Sequence, residues 1–297
     1  MAKWNLPDPR NEGTSVWVNG LVPRDEAKVH VLDSVVQGGD AVWEGLRIRS
    51  GHVIQWKEHC RRLIDSARAL AFESIPSEEA IWQAVQSTLQ ANGMEDGVHV
   101  RLTLTRGRKS TSGMDPRLNV YGPTLIVLPE YKGYVYGSEG IRLVSASIRR
   151  NAPSFLDSHI HHNNLLNNIL AKIEANVAGA DDAVMLDERG FLAETNATNL
   201  FVIRDGVLRT PRPVACLPGL TRAYVLGLAG RYGLPAEEGD LTLTELYTAD
   251  EAFTTGTMGA LARVTEVDGR HLPEEAPLTA QLQAWYEKHI LETAKPI

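Results

Sequence analysis

Apolar and polar positions alternate or recur at helical spacing through the first half of the chain, which predicts a mixture of strands and helices. Ser15-Val16-Trp17-Val18 alternates, Asn19-Gly20 suits a turn with positive φ, and Leu21-Val22 resumes the strand, so a β-hairpin is expected. The other elements predicted here are helices over about Lys57–Leu70 and from Pro76-Ser77 to Asn92-Gly93, and strands over Val98–Thr105 and Thr124–Leu128.

The second half shows the same mixture of patterns. A strand is predicted over Ile141–Ile148, followed by an amphipathic helix over Asn163–Ala178 that Gly179 ends. Strands and helices do not alternate strictly, so the predicted fold class is α+β. In the predicted helix over Asn163–Ala178, we expect five apolar side chains to pack in the core: Leu166, Ile169, Leu170, Ile173 and Val177. Further strands are predicted at Ala183–Leu186, Leu200–Ile203 and Ala252–Thr255, and helices over about Leu220–Tyr232 and Leu278–Leu291.

Glycines and tyrosines interrupt these patterns over Pro129–Gly140, which makes this stretch the best candidate for a linker. A chain of 297 residues with 43% hydrophobic content is long enough for two domains with separate cores. The sequence therefore predicts a small N-terminal domain over residues 1–128, an interdomain loop over 129–140 and a larger C-terminal domain over 141–297.

Charge and cysteine content narrow the kind of protein further. A formal charge of −7 argues against a nucleic-acid partner, and we interpret the short pairs Arg61-Arg62 and Arg149-Arg150 as solvated faces. Cys60 and Cys216 match no metal or redox spacing, which favours a reducing compartment. With no apolar signal core at the first residues and no run of about 18 apolar residues, we expect a cytoplasmic protein that does not enter a membrane.

Several polar residues stand at places where a ligand could bind. Arg62 lies on the first helix, where it could form a bidentate phosphate contact, unless it is a surface arginine. Leu220 and Thr221 begin a predicted helix, whose free N–H groups can hold a phosphate, although an ordinary helix start has the same pattern. Thr257 follows an apolar strand in a glycine-containing loop, which could equally be a plain turn.

Two further candidates are an acid and a strand arginine. Glu194 lies in a polar segment between two strands; it is either an exposed turn acid or a buried carboxylate that favours the protonated form of a pyridine ring. His99 and Arg101 share one face of a strand, and an inward-pointing arginine needs an anionic partner. That partner is a substrate carboxylate or an internal Asp or Glu.

Taken in order, these positions resemble the cofactor shell of the class IV (fold-type IV) pyridoxal-phosphate aminotransferases. The stretches between them are similar as well, and the resemblance runs from about Val16 to Tyr286. It is carried by Arg62, the segment Asp157–Asn168, Glu194, Leu220-Thr221 and Thr257, and by the stretches Trp43–Arg47, Leu170–Asn176, Ala180–Ala183 and Ala249–Phe253.

The resemblance implies a cofactor in a cleft between two domains and a homodimer that completes each site. Glu194 would face the ring nitrogen, and Arg101 matches an arginine of the branched-chain aminotransferases, where His99 replaces a tyrosine. It further implies that Arg62, Leu220, Thr221 and Thr257 bind the phosphate, and that Gly45, His99, Arg101, Met258 and Gly259 contact the substrate, an amino acid or a 2-oxo acid.

The segment Asp157–Asn168 departs from the family because it contains no lysine. Gapless matching to the D-amino-acid aminotransferases puts His161 at the lysine position, a loop variant would put His159 there, and no lysine occurs between Lys132 and Lys172. An imidazole can carry a proton but cannot form the covalent bond that a lysine makes with the cofactor aldehyde. We therefore expect pyridoxal or pyridoxamine phosphate to bind without a covalent link, with His161 or His159 as the catalytic candidate.

Several interpretations of this segment stay open. The chain is an aminotransferase whose lysine was replaced to stall turnover, or a natural relative that uses a histidine as acid and base. A lyase acting on aminodeoxychorismate and a non-catalytic cofactor-binding module are further alternatives. No metal is predicted, because no carboxylate or cysteine at ligand spacing accompanies the histidines beyond Asp157. His162, Asn163 and Asn164 could simply cap the following helix.

Overall fold

The computed structural model describes residues 8–297, which form two compact units. The N-terminal unit contains residues 8–133, Ile160–Asn164 and Leu291–Ile297, and the C-terminal unit contains Tyr134–His159 and Leu165–Ile290. The predicted α+β fold class is confirmed by the mixture of helices and strands and by the structural comparisons below.

Helices and strands alternate irregularly along the chain. The helices are α1 (Ser34–Gly38), α2 (Trp56–Ala69), α3 (Glu78–Ala91), α4 (Leu166–Ala178), α5 (Leu220–Arg231), α6 (Leu243–Tyr247) and α7 (Pro277–His289), with 3-10 turns at Pro9–Asn11, Arg24–Glu26, Pro116–Leu118 and Ile290–Thr293. The strands are β1 (Ser15–Val18), β2 (Leu21–Pro23), β3 (Ala41–Arg49), β4 (His52–Val53), β5 (Val98–Thr105), β6 (Thr124–Tyr131), β7 (Ile141–Ser145), β8 (Asp182–Leu186), β9 (Leu192–Thr195), β10 (Asn199–Arg204), β11 (Val207–Pro211), β12 (Ala236–Gly239), β13 (Glu251–Gly256), β14 (Ala260–Val267), β15 (Arg270–His271) and β16 (Lys295–Pro296).

The N-terminal unit is an antiparallel sheet of seven strands in the order β16-β4-β3-β5-β6-β1-β2. Helix α2 packs on β3, and α3 packs on β1 and β6. The predicted hairpin is confirmed, with Asn19 at φ 52°, and α3 begins after Ser77, whose hydroxyl accepts from the Ala80 amide. The core is a continuous apolar cluster that includes Leu46, Trp56, Leu63, Val85 and Leu102.

Strand β3 was not predicted from the sequence. Most of its residues are buried, so the strand lacks the polar alternation that marks a half-exposed strand. Strand β6 is also longer than predicted, because it continues to Tyr131 and takes in the first residues of the predicted linker.

The C-terminal unit contains a nine-stranded mixed sheet in the order β12-β11-β10-β13-β14-β7-β8-β9, with β15 paired to β14. The pairs β11/β12, β14/β7 and β7/β8 are parallel, and the others are antiparallel. Helix α4 packs on β7 and β8, α5 packs on β13, and α7 packs on β13 and β14. Apolar side chains such as Leu143, Val184 and Leu200 form its main core.

The predicted orientation of α4 is wrong, although its end at Gly179 in a left-handed conformation is confirmed. Its buried residues are the small Ala171 and Ala175, which allow the helix to lie close to the sheet. The predicted inward stripe is exposed instead: Leu166 (73%), Ile169 (49%), Leu170 (48%), Ile173 (50%) and Val177 (85%). A helical apolar stripe identifies the face that needs cover but not the surface that covers it.

Within residues 8–297, every helix is too short or too polar to cross a lipid bilayer.

Candidate active site

The histidine-rich segment lies beside β3 in the N-terminal unit. The Trp43 amide donates to the His161 carbonyl (2.9 Å), the Asn163 amide donates to the Ala41 carbonyl (2.9 Å), and Val42 pairs with His162 in an antiparallel bridge. The indole N–H of Trp43 also donates to the His162 carbonyl (3.1 Å). These bonds give residues 161–163 a fixed, strand-like register next to β3.

Glu44 of β3 is the acid around which this part of the N-terminal unit is built. Its side chain is fully buried, and both carboxylate oxygens accept from Arg62 on α2, at 2.7 Å from Nε and 2.7 Å from Nη2. His59 Nδ1 lies 2.6 Å and His161 Nδ1 3.2 Å from the same carboxylate. Burial alone would raise the pKa of Glu44, but the Arg62 guanidinium, with a hydrogen bond from His161, outweighs it and holds that pKa well below its usual value.

The His161 ring is enclosed on several sides. It lies 4.1 Å from the Trp43 ring between centroids, and the His161 amide donates to Ser66 Oγ (3.1 Å). Burial lowers the pKa of His161 to about 4; Glu44 opposes this shift, while Arg62 and Arg101 add to it. His161 is therefore a neutral imidazole near pH 7.

His159, the other catalytic candidate, has a different environment. It belongs to the C-terminal unit and is exposed; its amide donates to Asp157 Oδ1 (2.9 Å) and its Nε2 contacts the Pro213 carbonyl. These contacts are typical of a surface turn. The two histidine candidates thus fall in separate units, and only His161 contacts a buried acid.

Arg62 is not a surface arginine, because its side chain is only 14% exposed. In this structure its guanidinium is engaged by the Glu44 carboxylate, so any phosphate contact would be shared with that ion pair.

Arg101 lies on β5, where it stacks on Trp43 with its guanidinium carbon 3.4 Å from the ring centroid. Its Nη2 donates to Asn163 Oδ1 (2.8 Å), and among the described residues no Asp or Glu forms an ion pair with it. The alternative of an internal acidic partner is therefore wrong for direct contacts. Burial lowers the pKa of Arg101 to about 10, and the charge of Glu44 opposes that shift without a direct contact. Arg101 thus remains a buried cation whose hydrogen-bond partner, Asn163, is neutral.

His99 on β5 lies diagonally across from Gly45 on β3, because Gly45 pairs with Arg101 and His99 with Arg47. His99 is buried, and a Cβ on Gly45 would lie 3.1 Å from His99 Nε2, so the glycine allows the imidazole to lie against β3. Burial, together with the charges of Lys132 and Arg101, lowers the pKa of His99 to about 3. His99 is thus a buried, uncharged side chain of the N-terminal unit.

Glu194 lies inside strand β9 and is buried, so its interpretation as an exposed turn acid is wrong. Its Oε1 accepts from Arg150 Nε (2.6 Å), and Asn199 Nδ2 lies 3.3 Å from Oε2. Burial raises the pKa of Glu194, and the nearby Arg150 charge limits that rise. The interpretation of Arg150 as a solvated residue is also wrong, since its side chain is 6% exposed.

Asn199 connects Glu194 to the start of α5. Its Nδ2 donates to the Leu217 carbonyl (2.9 Å) as well as facing Glu194, and a Cβ on Gly219 would overlap its Oδ1. Gly219 is the N-cap residue of α5, and it has no side chain that could accept a hydrogen bond from the first N–H groups of the helix. Thr221, in this first turn, is buried.

The turn after β13 supplies the remaining predicted residues. Thr257 and Met258 are partly buried, Gly259 is buried, and the Gly259 amide donates to the Gly256 carbonyl (3.3 Å). A Cβ on Gly259 would lie 2.5 Å from the Tyr136 ring, so only glycine fits there without movement.

Thr255, just before this turn, has a buried hydroxyl with no hydrogen-bond partner among the described residues. It pairs with Asn199 across β13 and β10, and directly opposed residues of a sheet point to the same face. A buried hydroxyl without a partner is costly, which favours a polar ligand on this face.

The predicted residues thus form two sets. Arg62, His99, Arg101, Gly45 and His161 belong to the N-terminal unit; Glu194, Leu220, Thr221, Thr257, Met258, Gly259 and His159 belong to the C-terminal unit. Sequence reasoning assigned no site role to Glu44, Arg150 or Asn199. The partners of Glu44 and Arg150 are 18 and 44 residues away in the chain. Over residues 8–297 no group of three or more His, Cys, Asp and Glu residues is arranged to hold a metal ion.

Comparisons with known proteins assign the chain and its fold to one family. The family model of class IV amino-transferases matches residues 41–267. The chain is 54% identical over 288 residues to branched-chain-amino-acid aminotransferase-like protein 2 of Arabidopsis thaliana, covering 96% of this chain and 52% of that protein. The chain thus spans about half the length of this relative.

Solved structures give the same assignment. The branched-chain aminotransferase of Thermoproteus uzoniensis with norvaline has a TM-score of 0.87 at 32% identity, covering 95% of this chain and 99% of that one. The branched-chain amino acid aminotransferase of Escherichia coli has a TM-score of 0.88 at 29% identity, covering 94% of this chain and 95% of that one. A third branched-chain amino acid aminotransferase, solved with pyridoxamine 5'-phosphate, has a TM-score of 0.88 at 30% identity, covering 95% of each chain. This chain belongs to the class IV amino-transferase family.

We predict that Gly219→Ala destabilises the protein. The new Cβ overlaps Asn199 Oδ1 and breaks hydrogen bonds of a buried amide, which costs about 1–3 kcal/mol in the free energy of unfolding. The matched control is Gly227→Ala, inside α5, where a Cβ meets nothing within 4 Å and alanine should stabilise the helix by about 0.5–1 kcal/mol. Denaturant unfolding measures both, and equal effects of the two substitutions would contradict the packing described here.

Proposed function

We propose that this chain transfers an amino group between a branched-chain amino acid and a 2-oxo acid, using pyridoxal or pyridoxamine phosphate that it holds without a covalent bond. The proton is moved by His161 instead of a lysine. The substrate class rests on the names of the relatives, and the cofactor on the related structure with pyridoxamine 5'-phosphate.

One observation carries the proposal: Asn199 joins a buried acid, Glu194, to the start of α5. A pyridoxal-type cofactor needs an acid at its ring nitrogen and a group of N–H donors at its phosphate. Asn199 fixes the segments that carry these two features with hydrogen bonds from one side chain.

The C-terminal unit also contains hydrogen-bond donors that suit a phosphate group. The buried Thr255 hydroxyl lacks a partner among the described residues, on the face that carries Asn199, and the first amides of α5 lack a capping side chain from Gly219. Phosphate oxygens accept from such donors. The residues proposed to bind the phosphate are Leu220, Thr221 and Thr257. Arg62 is proposed to contribute as well, although its guanidinium also pairs with Glu44.

When bound, the protonated pyridine ring supplies an electron sink for the charge that develops on the substrate's α carbon. Glu194 would accept a hydrogen bond from the ring N–H, and the Arg150 charge opposes the rise in the Glu194 pKa that burial causes. His161 accepts the α proton and later returns it; as a neutral imidazole it is ready to act as a base.

Arg101 is proposed to bind a substrate carboxylate. Stacking on Trp43 and the hydrogen bond to Asn163 hold its guanidinium in place without neutralising it. His99 and Gly45 line the same part of the N-terminal unit, and Met258 and Gly259 form a turn whose backbone is proposed to face the substrate.

We predict that His161→Lys creates a covalent attachment point for the cofactor. A lysine amine bonds to the aldehyde of pyridoxal phosphate, and borohydride makes that bond permanent. Mass spectrometry of the borohydride-treated protein should show one added cofactor in His161→Lys and none in the wild type. The control His159→Lys should stay unlabelled, because His159 is an exposed turn residue. Permanent labelling of the wild type would mean that another lysine forms the bond and would contradict the proposal.

We predict that the wild-type protein, loaded with pyridoxamine phosphate and mixed with a branched 2-oxo acid, produces the corresponding amino acid. His161→Gln should slow this half-reaction by about 10²–10⁴-fold, the usual contribution of a positioned acid and base. Amino acid analysis after rapid mixing gives the rate. Pyruvate released from aminodeoxychorismate would instead indicate a lyase, and cofactor uptake with no product would indicate a binding module.

We propose further that the chain is a homodimer and that the exposed stripe of α4 contacts a second copy. Contiguous apolar exposure of this kind is uncommon on monomers, and a stripe that meets its own copy across a two-fold axis buries both.

Ile173→Glu should therefore shift the protein to a monomer in light scattering, since it would bury a charge in the contact. Val31→Glu, an exposed apolar position in the N-terminal unit, is the matched control and should leave the mass unchanged. A monomeric wild type, or a dimeric Ile173→Glu, would contradict this assignment.

A further inference from the structure

Glu44 has an unusual set of neighbours for a buried acid. It receives two hydrogen bonds from Arg62 and lies within hydrogen-bond distance of the Nδ1 atoms of two histidines, His59 (2.6 Å) and His161 (3.2 Å). A carboxylate that is ionised can only accept hydrogen bonds. Each nitrogen directed at it must therefore carry a hydrogen.

This condition decides which nitrogen of His161 bears the proton. A neutral imidazole has a single N–H, and the hydrogen bond made at one ring nitrogen sets the chemistry of the other. If Nδ1 donates to Glu44, Nε2 carries the free lone pair.

We infer that Glu44 is a positioning residue that holds His161 as the Nδ1-protonated tautomer and so makes Nε2 the proton-accepting atom. Isolated histidine prefers the opposite tautomer, with hydrogen on Nε2, so the contact with Glu44 must impose this choice. The tautomer follows from the contacts alone, while its use in proton transfer rests on the proposed function.

The backbone and the ring of His161 are both held in place by neighbouring residues. Its backbone is held on both sides, by the Trp43 amide at its carbonyl and by Ser66 Oγ at its amide. Its ring lies against the Trp43 indole, which Arg101 covers at 3.4 Å. A rotation of the ring would therefore have to displace packed aromatic groups.

Burial, helped by two nearby cations, keeps His161 neutral although Glu44 opposes it. Arg62 and Arg101 face it as cations and Glu44 as an anion, and burial is the largest effect, so the pKa lies at about 4. His59 contacts the same carboxylate from α2. Across the neutral range His161 thus keeps one proton, on the nitrogen that Glu44 selects.

Arg62 completes the arrangement. Its positive charge stabilises the ionised form of Glu44, which has no proton to donate. A protonated Glu44 could donate to Nδ1, which would leave the hydrogen on Nε2. The Arg62–Glu44 ion pair and the His161 tautomer are therefore coupled.

The direct test is nitrogen NMR of the wild-type protein with isotope-labelled histidine rings. The spectrum of His161→Gln identifies the His161 signals among those of the nine histidines. We expect Nδ1 to be protonated and Nε2 unprotonated, with no change between pH about 8 and about 5. A hydrogen on Nε2 would overturn the inference, whatever the activity of the protein.

A second test uses Glu44→Gln, which keeps the size of the side chain but replaces one acceptor oxygen with a donor. The His161 signals should then show the Nε2-protonated tautomer, and the half-reaction with a 2-oxo acid should slow on the order of 100-fold. Glu237→Gln is the matched control: it removes a carboxylate that pairs with Arg209 (2.8 Å) on another sheet and should change neither readout.

The two tests separate the inference from the proposed function. An unchanged tautomer in Glu44→Gln would overturn the inference even if the rate fell. The expected tautomers without any amino transfer would uphold the positioning role and remove the proposed function. If Glu44→Gln yields no folded protein, the wild-type spectrum decides alone.

Discussion

Burial of the Glu44 charge is the constraint on which the N-terminal unit depends. A carboxylate removed from water costs several kcal/mol unless cations and hydrogen bonds compensate for the lost hydration. Here the compensation comes from Arg62 and His59 on α2, while Glu44 itself lies on β3. The ion pair therefore fixes α2 to the sheet in one register. It also fixes the segment that carries His161, because the same carboxylate is within reach of that ring. A single acid thus orients three separate parts of the chain.

The C-terminal unit repeats this principle with different elements. Glu194 on β9 is compensated by Arg150, which follows β7, and Glu194 also lies near Asn199 on β10. Two opposite charges buried together prefer a unique geometry, because any shift leaves one of them without its partner. Asn199 transmits that geometry to the start of α5 through the Leu217 carbonyl. The relative placement of acid and helix start is therefore set by side-chain hydrogen bonds as well as by the sheet.

The sequence predicted those parts of the structure that depend on local patterns. Ser77 and Asn92 mark the ends of α3 in the sequence and in the structure, and Gly179 ends α4. The sequence-based prediction failed for features that depend on long-range packing. Strand β3 was missed because it is buried on both faces and lacks polar alternation. The apolar stripe of α4 was assigned to the core, because the sequence does not show which surface covers it. The family resemblance gave site roles to Glu194 and Arg62, but none to their partners. Arg150 precedes Glu194 by 44 residues and Glu44 precedes Arg62 by 18, and no local pattern encodes such pairs.

The environment of position 161 is compatible with the proposed match of His161 to the lysine of the family. Burial and the nearby cations Arg62 and Arg101 disfavour a positive charge at this position, and Glu44 only partly opposes them. A lysine in such surroundings is shifted toward its neutral amine, the nucleophilic form. An imidazole is shifted toward its neutral form in the same way, so the position selects an uncharged nitrogen base rather than a particular residue. Under the proposed match, a histidine at this position gives up covalent attachment, whereas the electrostatic condition for accepting a proton is preserved.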